Sequence, residues 1–206
     1  MDTDEKISRL LDQHGQTYAD EIGIDLAKNT PAPLFQWLNS CILMSARIAT
    51  GNAVEAAKAL IDDGLTTPEH ICDSTWEHRV KVLNENGYAR YDESTSRYLA
   101  DTAEILLDEY AGDLRKLRTA ADGDVDDVIE RLGAFKGIGK LGAAIFCREV
   151  QAVWTELYPF ADERALEVAE KMNLPKTARG LSNHVSEADL PRLLAALVRA
   201  DLAGEV

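Results

Sequence analysis

The 206-residue sequence predicts an all-α protein. Strand signals are almost absent, because few stretches alternate apolar and polar residues and the β-branched residues are scattered. Helix signals recur along the whole chain, and several predicted helices stop at a glycine, a residue that is common just beyond a helix end. Helices of ordinary length joined by short glycine turns favour a helical bundle.

The helical elements follow one another without a sequence repeat or a low-complexity linker. Residues 33–48 carry a wide apolar stripe that is typical of a buried helix. Residues 66–70, TTPEH, offer a threonine cap with proline at an early helical position. One helix is predicted to begin near Lys140. The others are predicted over 52–64, 76–87, 96–112, 124–133, 162–175 and 186–202.

The charge composition limits the partners that the protein can attract. The sequence has 36 acidic residues against 22 basic ones and a formal net charge of −14. An average surface of this kind repels polyanions, so nucleic-acid binding would require a local basic patch. No run of about 18 apolar residues is present, and the N-terminal residues lack the basic and apolar regions of a signal peptide. We therefore expect a cytoplasmic protein with no membrane partner.

The cysteines predict neither a disulfide framework nor a metal centre. Cys41, Cys72 and Cys147 are isolated and lack CxxC spacing, which argues against zinc and iron–sulfur sites. We expect buried thiols at these positions.

The most distinctive stretch is RLGAFKGIGKLGAAIFCREV, residues 131–150. Gly137 and Gly139 can take positive φ and expose their amides, and the helix that follows directs its N-terminus at the same place. Such a turn can hold a phosphate, and Lys136, Lys140 and Arg148 add positive charge to the segment. The alternative is a helix–helix turn in which the glycines only permit close packing.

This stretch resembles a known motif. LGAFKGIGKLGAA is similar to the helix-hairpin-helix of the endonuclease III superfamily of DNA glycosylases, whose pattern is roughly LPGVGxKTA. The segments PLFQWLNSCILMSARIATGNAVEAAKAL and LNENGYARYDESTSRYLADTAEILLDEY also resemble family segments, so that the resemblance covers roughly residues 30–175. It implies two helical lobes with a helix-hairpin-helix motif and a cleft between the lobes. Residues 31–147 would form the lobe that contains the motif, and residues 1–30 plus 148–206 the second lobe.

The resemblance also implies a catalytic carboxylate. In the family an aspartate follows the hairpin at the start of a helix, and FADERALEVAEKMNLP supplies Asp162 at the matching place. A carboxylate beside the anomeric carbon can stabilise the positive charge that builds on the sugar and orient or deprotonate the attacking water. The plainer interpretation of Asp162 is a helix N-cap. The two roles are compatible.

Two departures from the family pattern narrow the expected chemistry. Bifunctional members carry a lysine that forms a Schiff base, and this sequence has Leu141 at that position. We therefore expect no AP lyase activity. No cysteine follows Cys147, so no iron–sulfur cluster of the family's type is expected. Monofunctional members of the superfamily also lack the lysine, and the sequence thus predicts a monofunctional DNA glycosylase, a hydrolase of base excision repair.

The expected partner is double-stranded DNA, bound by a monomer. Arg47 stands where the family has a glutamine that enters the gap left by a flipped base, and the alternative for it is a surface salt bridge. Tyr88 and Tyr91 could probe the duplex. The resemblance implies a monovalent cation, Na⁺ or K⁺, on the carbonyls of Gly133, Phe135 and Ile138, and no other cofactor. The hairpin contacts to DNA would come from Lys136, Gly137, Ile138, Gly139, Lys140 and Leu141.

Two other functions fit the same sequence. The first is a helix-hairpin-helix DNA-binding protein or lesion sensor that has lost catalysis, which the leucine at the lysine position and the acidic surface favour. The second is an α-helical protein–protein module in which the hairpin is only a turn.

Overall fold

Helices build the whole architecture of the protein, which a computed structural model describes over residues 2–206. No β-strand occurs in this part of the chain, so the predicted all-α class is confirmed. Short 3₁₀ turns lie at Leu26–Lys28 and Thr155–Leu157, and a π-helical turn at Asn84–Tyr88. The helices are α1 (Thr3–His14), α2 (Tyr18–Ile22), α3 (Pro31–Ser45), α4 (Thr50–Asp62), α5 (Pro68–Asp73), α6 (Trp76–Leu83), α7 (Asp92–Tyr110), α8 (Leu114–Ala120), α9 (Val125–Gly133), α10 (Gly139–Val150), α11 (Glu163–Lys171), α12 (Ala178–Ser182) and α13 (Leu190–Leu202).

Local sequence signals account for most helix ends. Thr67 caps α5 by accepting a hydrogen bond from the His70 N–H, and Pro68 occupies the first helical position, as the sequence predicts. The helix predicted over 76–87 ends earlier, at Leu83, and the π-helical turn follows because Gly87 adopts φ +83°. The last helix starts at Leu190 and not at 186, since Pro191 lacks an N–H and fits only the first turn.

The chain divides into two compact units. The central unit is Ile22–Phe146, and the terminal unit combines Met1–Glu21 with Cys147–Val206. The lobes predicted from the sequence divide instead between residues 30 and 31 and between residues 147 and 148. The assignment of these lobes as functional domains stays a prediction. Helix α10 contributes its first residues to the central unit and its last turn to the terminal unit.

Helix α3 forms the core of the central unit. Its apolar side chains are buried on nearly every side, which is the pattern of a helix enclosed by other helices. Trp37 is fully buried, and its indole N–H donates to the Phe146 carbonyl at 3.2 Å. Helices α4, α7 and α8 pack directly on α3. In the terminal unit, α13 plays the equivalent role, because α1 and α11 both pack on it and four of its leucines, Leu190, Leu193, Leu194 and Leu197, are fully buried.

The three cysteines divide differently from the prediction. Cys41 and Cys147 are buried, and burial raises the pKa of the Cys147 thiol to about 12. Cys72 is exposed, which corrects the expectation of a third buried thiol. It lies near the C-terminal end of α5, a short helix whose buried residues are Pro68 and Ile71.

Residues 2–206 contain no candidate membrane-spanning helix and no candidate metal-binding group of side chains. No helix in this range is both long enough and apolar enough to cross a bilayer. Within the same range, no group of three or more histidine, cysteine, aspartate or glutamate side chains is placed to hold a metal ion.

A buried arginine joins three helices of the central unit. Arg79 on α6 is 5% exposed and donates to the Ile71 and Ser74 carbonyls, at 3.0 and 2.8 Å, and to the Ser96 carbonyl at 3.2 Å. Burial lowers the pKa of this guanidinium below its ordinary value. The carbonyls of Ile71 and Ser74 lie at the C-terminal end of α5, where a positive charge is favourable. Arg79 therefore links the C-terminal end of α5 to α7 through hydrogen bonds to backbone carbonyls.

We expect Arg79→Met to destabilise the protein by about 2–4 kcal/mol, because several buried hydrogen bonds to a charged donor are lost at once. Urea unfolding monitored by circular dichroism measures the change. The matched control is Arg97→Met on α7, since Arg97 is exposed and pairs with Glu93 at 3.7 Å. That control should stay within about 0.5 kcal/mol of the wild type. Equal stability of the two variants would show that the Arg79 hydrogen bonds contribute nothing.

Candidate functional site

The first candidate site, in the central unit, is the turn between α9 and α10. Helix α9 ends at Gly133, residues 134–138 form the connection, here called the glycine turn, and α10 begins at Gly139. Gly137 and Gly139 have φ values of +85° and +55°, in the region that L side chains rarely adopt. A Cβ on Gly137 would also lie 2.8 Å from Cδ2 of Tyr98. Gly137 therefore serves both backbone conformation and close packing, whereas a Cβ on Gly139 would meet nothing within 4 Å.

Backbone amides at the start of α10 are available to a ligand. The N–H groups of Gly137, Gly139, Lys140 and Leu141 have no backbone acceptor in the part of the chain that the structure describes, and these residues are exposed. First-turn amides of a helix lack intrahelical partners and attract anions. Ile138 differs from its neighbours, because its side chain is 2% exposed and its N–H donates to the Phe135 carbonyl at 3.2 Å.

The structure changes the charge pattern expected around the turn. Lys140 is exposed and makes no ion pair with any residue from 2 to 206, whereas the Lys136 ammonium lies 3.1 Å from the Asp101 carboxylate. Arg148 is buried and pairs with Asp162. The prediction that Arg148 adds to a solvent-facing positive patch is therefore wrong: apolar residues precede it along α10, and the last turn of that helix is buried.

The remaining predicted DNA contacts lie in the segments after α3 and α6. Arg47 follows the end of α3, is exposed, and forms no salt bridge with the described residues. Tyr91 is half-buried, with the Arg90 guanidinium 5.3 Å from its ring centroid. Tyr88 is fully buried and donates its hydroxyl to the Leu43 carbonyl at 2.8 Å, and burial raises its pKa to about 12. The prediction that Tyr88 probes a duplex is wrong, because its ring belongs to the core.

The last turn of α3 connects these segments. Tyr88 bonds to Leu43 in this turn. A Cβ built on Gly142, in α10, would lie 2.6 Å from the Ser45 hydroxyl, so α10 approaches α3 too closely for any larger residue there. The glycine turn, Arg47 and the 84–91 segment thus all border one end of a buried helix.

The carbonyls implied as a cation site are partly used within the turn. The Phe135 carbonyl accepts from the Ile138 N–H at 3.2 Å, and the Ile138 carbonyl accepts from the Gly142 N–H at 2.9 Å. A carbonyl oxygen has two lone pairs. Coordination by Gly133, Phe135 and Ile138 is compatible with these bonds and stays a prediction.

A second candidate site, in the terminal unit, is centred on Asp162. It is the N-cap of α11, where its Oδ1 accepts a hydrogen bond from the Ala165 N–H at 3.2 Å. Its Oδ2 lies 3.3 Å from Nη1 of Arg148, and the two side chains are 5% and 4% exposed. The capping role predicted for Asp162 is thus realised. Its catalytic role stays a prediction.

Sequence reasoning missed the buried polar residues that neighbour Arg148 along the chain, Glu149 and Gln151. Glu149 is buried and accepts hydrogen bonds from the N–H groups of Tyr18 and Ala19, at 2.9 and 2.8 Å. Burial raises the pKa of Glu149, while Arg148 and the two N–H donors oppose that rise. Gln151 bonds both backbone groups of Phe160. The available signal was the polar sequence Arg-Glu-Val-Gln at the end of an otherwise apolar helix.

Comparisons with known proteins identify the fold. No protein-family model matches the chain, and no curated protein matches it in sequence. Among solved structures, the chain is similar to endonuclease III in a trapped covalent intermediate with DNA, an estranged-adenine complex. The match has a TM-score of 0.51 and 15% sequence identity, and it covers 97% of this chain and 86% of the other. The protein therefore has an endonuclease III-like, all-α fold.

Proposed function

We propose that this protein is a monofunctional DNA glycosylase that extrudes a damaged or mispaired base from double-stranded DNA and hydrolyses its N-glycosidic bond. The observation that carries the proposal is the position of Asp162 as the N-cap of α11 in a chain whose fold resembles that of endonuclease III. A glycosylase needs a carboxylate at a protected site, and it must take the base out of the stack to reach it.

Asp162 would perform two tasks in this reaction. As the C–N bond breaks, positive charge develops on the sugar, and a nearby carboxylate lowers the free energy of that state. The same carboxylate can orient a water molecule and accept its proton. Each oxygen of an ionised carboxylate accepts more than one hydrogen bond. The contacts of Asp162 with Ala165 and Arg148 therefore leave acceptor capacity for a water.

The glycine turn would hold the DNA backbone. The exposed amides of Gly137, Gly139 and Leu141 would donate hydrogen bonds to a phosphate. Lys140, which makes no ion pair with residues 2–206, would add a positive charge beside it. A monovalent cation on the turn carbonyls would add a bridge to the phosphate. Arg47, free of a salt bridge to the described residues, would enter the stack beside the flipped base, where a planar guanidinium can stack and hydrogen-bond.

The side chain at position 141 excludes a covalent route at that position. Leu141 is 53% exposed on the first turn of α10 and has no amine to attack the sugar. Hydrolysis assisted by Asp162 is the chemistry that these residues support. The protein would act as a monomer at the first step of base excision repair and leave an abasic site.

A second candidate function is DNA binding without catalysis. The observation that favours it is the burial of Asp162, whose two carboxylate oxygens are both engaged by protein donors. A carboxylate held in this way can be a purely structural cap. Excision and binding experiments distinguish the two functions.

We expect Asp162→Asn to lower base excision by about 10²-fold or more, because the amide cannot act as a base or stabilise positive charge. Asparagine also caps helices well, so folding should be preserved. Duplexes that carry alkylated, deaminated or oxidised bases are incubated with protein and heated in alkali to reveal abasic sites. Glu163→Gln, a neutralised exposed neighbour, is the control and should excise normally. Binding of abasic DNA without excision of any base would establish the second function.

We expect Lys140→Gln to reduce the slope of log K against log salt concentration by about 1, because one phosphate contact is lost. Lys136→Gln should reduce it less, since Asp101 already neutralises that lysine. Fluorescence anisotropy with labelled duplex at several salt concentrations measures the slopes. Lys116→Gln, an exposed lysine on α8, is the control. A wild-type affinity that does not change with salt would support the protein–protein module instead.

We expect Leu141→Lys to form a borohydride-trapped covalent adduct with abasic DNA, because the new amine would be exposed beside the phosphate-binding amides. The wild type should form none. Leu202→Lys, the same change at another exposed leucine, is the control. Adducts of equal yield with wild type and Leu141→Lys would show that another amine supplies lyase chemistry.

A further inference from the structure

We infer that Arg148, on the last turn of α10, and Gln151, the residue directly after that helix, are positioning residues that set the orientation of the Asp162 carboxylate for base excision. The inference rests on the proposed function. The two residues act on different parts of the same segment: Arg148 binds the carboxylate itself, and Gln151 binds the backbone that precedes it.

Arg148 restricts the carboxylate directly. Its Nη1 donates to Oδ2 of Asp162 at 3.3 Å, while Oδ1 is held by the Ala165 N–H, so both oxygens have a defined direction. The guanidinium lies 5.5 Å from the ring centroid of Tyr18 and is 4% exposed. A charge buried in this way cannot turn to solvent without a large cost. The carboxylate is therefore oriented by the protein interior and not by a mobile surface group.

Gln151 restricts the chain just before Asp162. Its Nε2 donates to the Phe160 carbonyl at 2.9 Å, and its Oε1 accepts from the Phe160 N–H at 3.0 Å. The same Nε2 also donates to the Arg148 carbonyl at 2.8 Å. A side-chain amide that satisfies both polar groups of one residue fixes that residue as a strand partner would. Phe160 thus keeps a constant distance from α10, two positions before the carboxylate.

The role is one of geometry and not of charge. A guanidinium next to Asp162 opposes the positive charge that develops on the sugar, so as an electrostatic group it would slow the reaction. Its benefit must come from holding the carboxylate in a productive direction, and misplacement of a catalytic group by about 1 Å can cost roughly 10²-fold in rate. This predicts that the effect of Arg148 on excision depends entirely on Asp162.

The test is a double-mutant cycle on the single-turnover excision rate. Arg148→Met should lower the rate about 10- to 100-fold in the wild-type background and have no effect in the Asp162→Asn background. Arg148→Lys, which retains a donor and the charge, should recover most of the lost rate. Gln151→Met should also lower the rate in the wild-type background alone. The control is Arg164→Met, an exposed arginine on α11 that pairs with Asp201, and it should leave the rate unchanged.

Equal losses in both backgrounds would overturn the inference, because a merely structural residue would act regardless of Asp162. All variants are assayed at a temperature at which circular dichroism shows them folded. Substrate concentration is varied, since a positioning effect appears in the rate at saturation and not in the affinity for DNA.

A thermal unfolding cycle separates this inference from the proposed function. Arg148→Met alone should lower Tm by roughly 10 °C, because it leaves the Asp162 charge buried without its partner. The double variant Arg148→Met, Asp162→Asn should recover part of that loss. Additive Tm changes would show that the two side chains do not interact and would overturn the inference. If the cycle shows coupling but the wild type excises no base, the proposed function fails, and the coupling describes a structural pair only.

Discussion

Arg148, Glu149 and Gln151, at the C-terminal end of α10 and directly after it, are buried and need hydrogen-bond partners inside the protein. Several segments of the terminal unit supply these partners. A buried charge or amide without a partner costs several kcal/mol, so each of these residues is matched by a different segment. Glu149 accepts hydrogen bonds from the N–H groups at the start of α2, and Arg148 donates to the Asp162 side chain that caps α11. Gln151 bonds both backbone groups of Phe160. The position of Asp162 is consequently determined by contacts with buried residues.

In the central unit, the equivalent constraint is the close approach of α10 to α3. A Cβ on Gly142 would collide with Ser45 of α3, and a Cβ on Gly137, in the turn, would lie too close to Tyr98 of α7 and Ile42 of α3. The glycine turn is therefore held against a helix that is itself buried. Binding groups carried by rigid elements are placed more accurately than groups on free loops, and the exposed amides of the turn gain their fixed direction in this way.

The acidic composition and the proposed DNA contact are reconciled by local pairing of charges. Many basic side chains lie next to carboxylates, as Lys136 does with Asp101 and Arg131 with Asp127. Lys140 and Arg47 have no such partner in residues 2–206. Because salt screens exposed charges beyond about 10 Å at 0.1 M ionic strength, a phosphate at the turn responds mainly to these near charges. The net charge of −14 affects the rate of encounter more than the final contact.

The sequence by itself determined the helical class, the glycine turn and the cap at Asp162. These features depend on periodicity, on glycine conformation and on capping chemistry, which act over a few residues. Several boundaries were also predictable, whereas the break after Leu83 was not, because the glycine signal lies four residues further on, at Gly87. Only the tertiary structure decided that Tyr88 is core, that Arg148 faces Asp162 and that Lys140 keeps its charge free of an ion pair within the described chain. The physical reason is that burial and ion pairing are set by whichever distant segment packs against a side chain, and that information is spread over the whole fold.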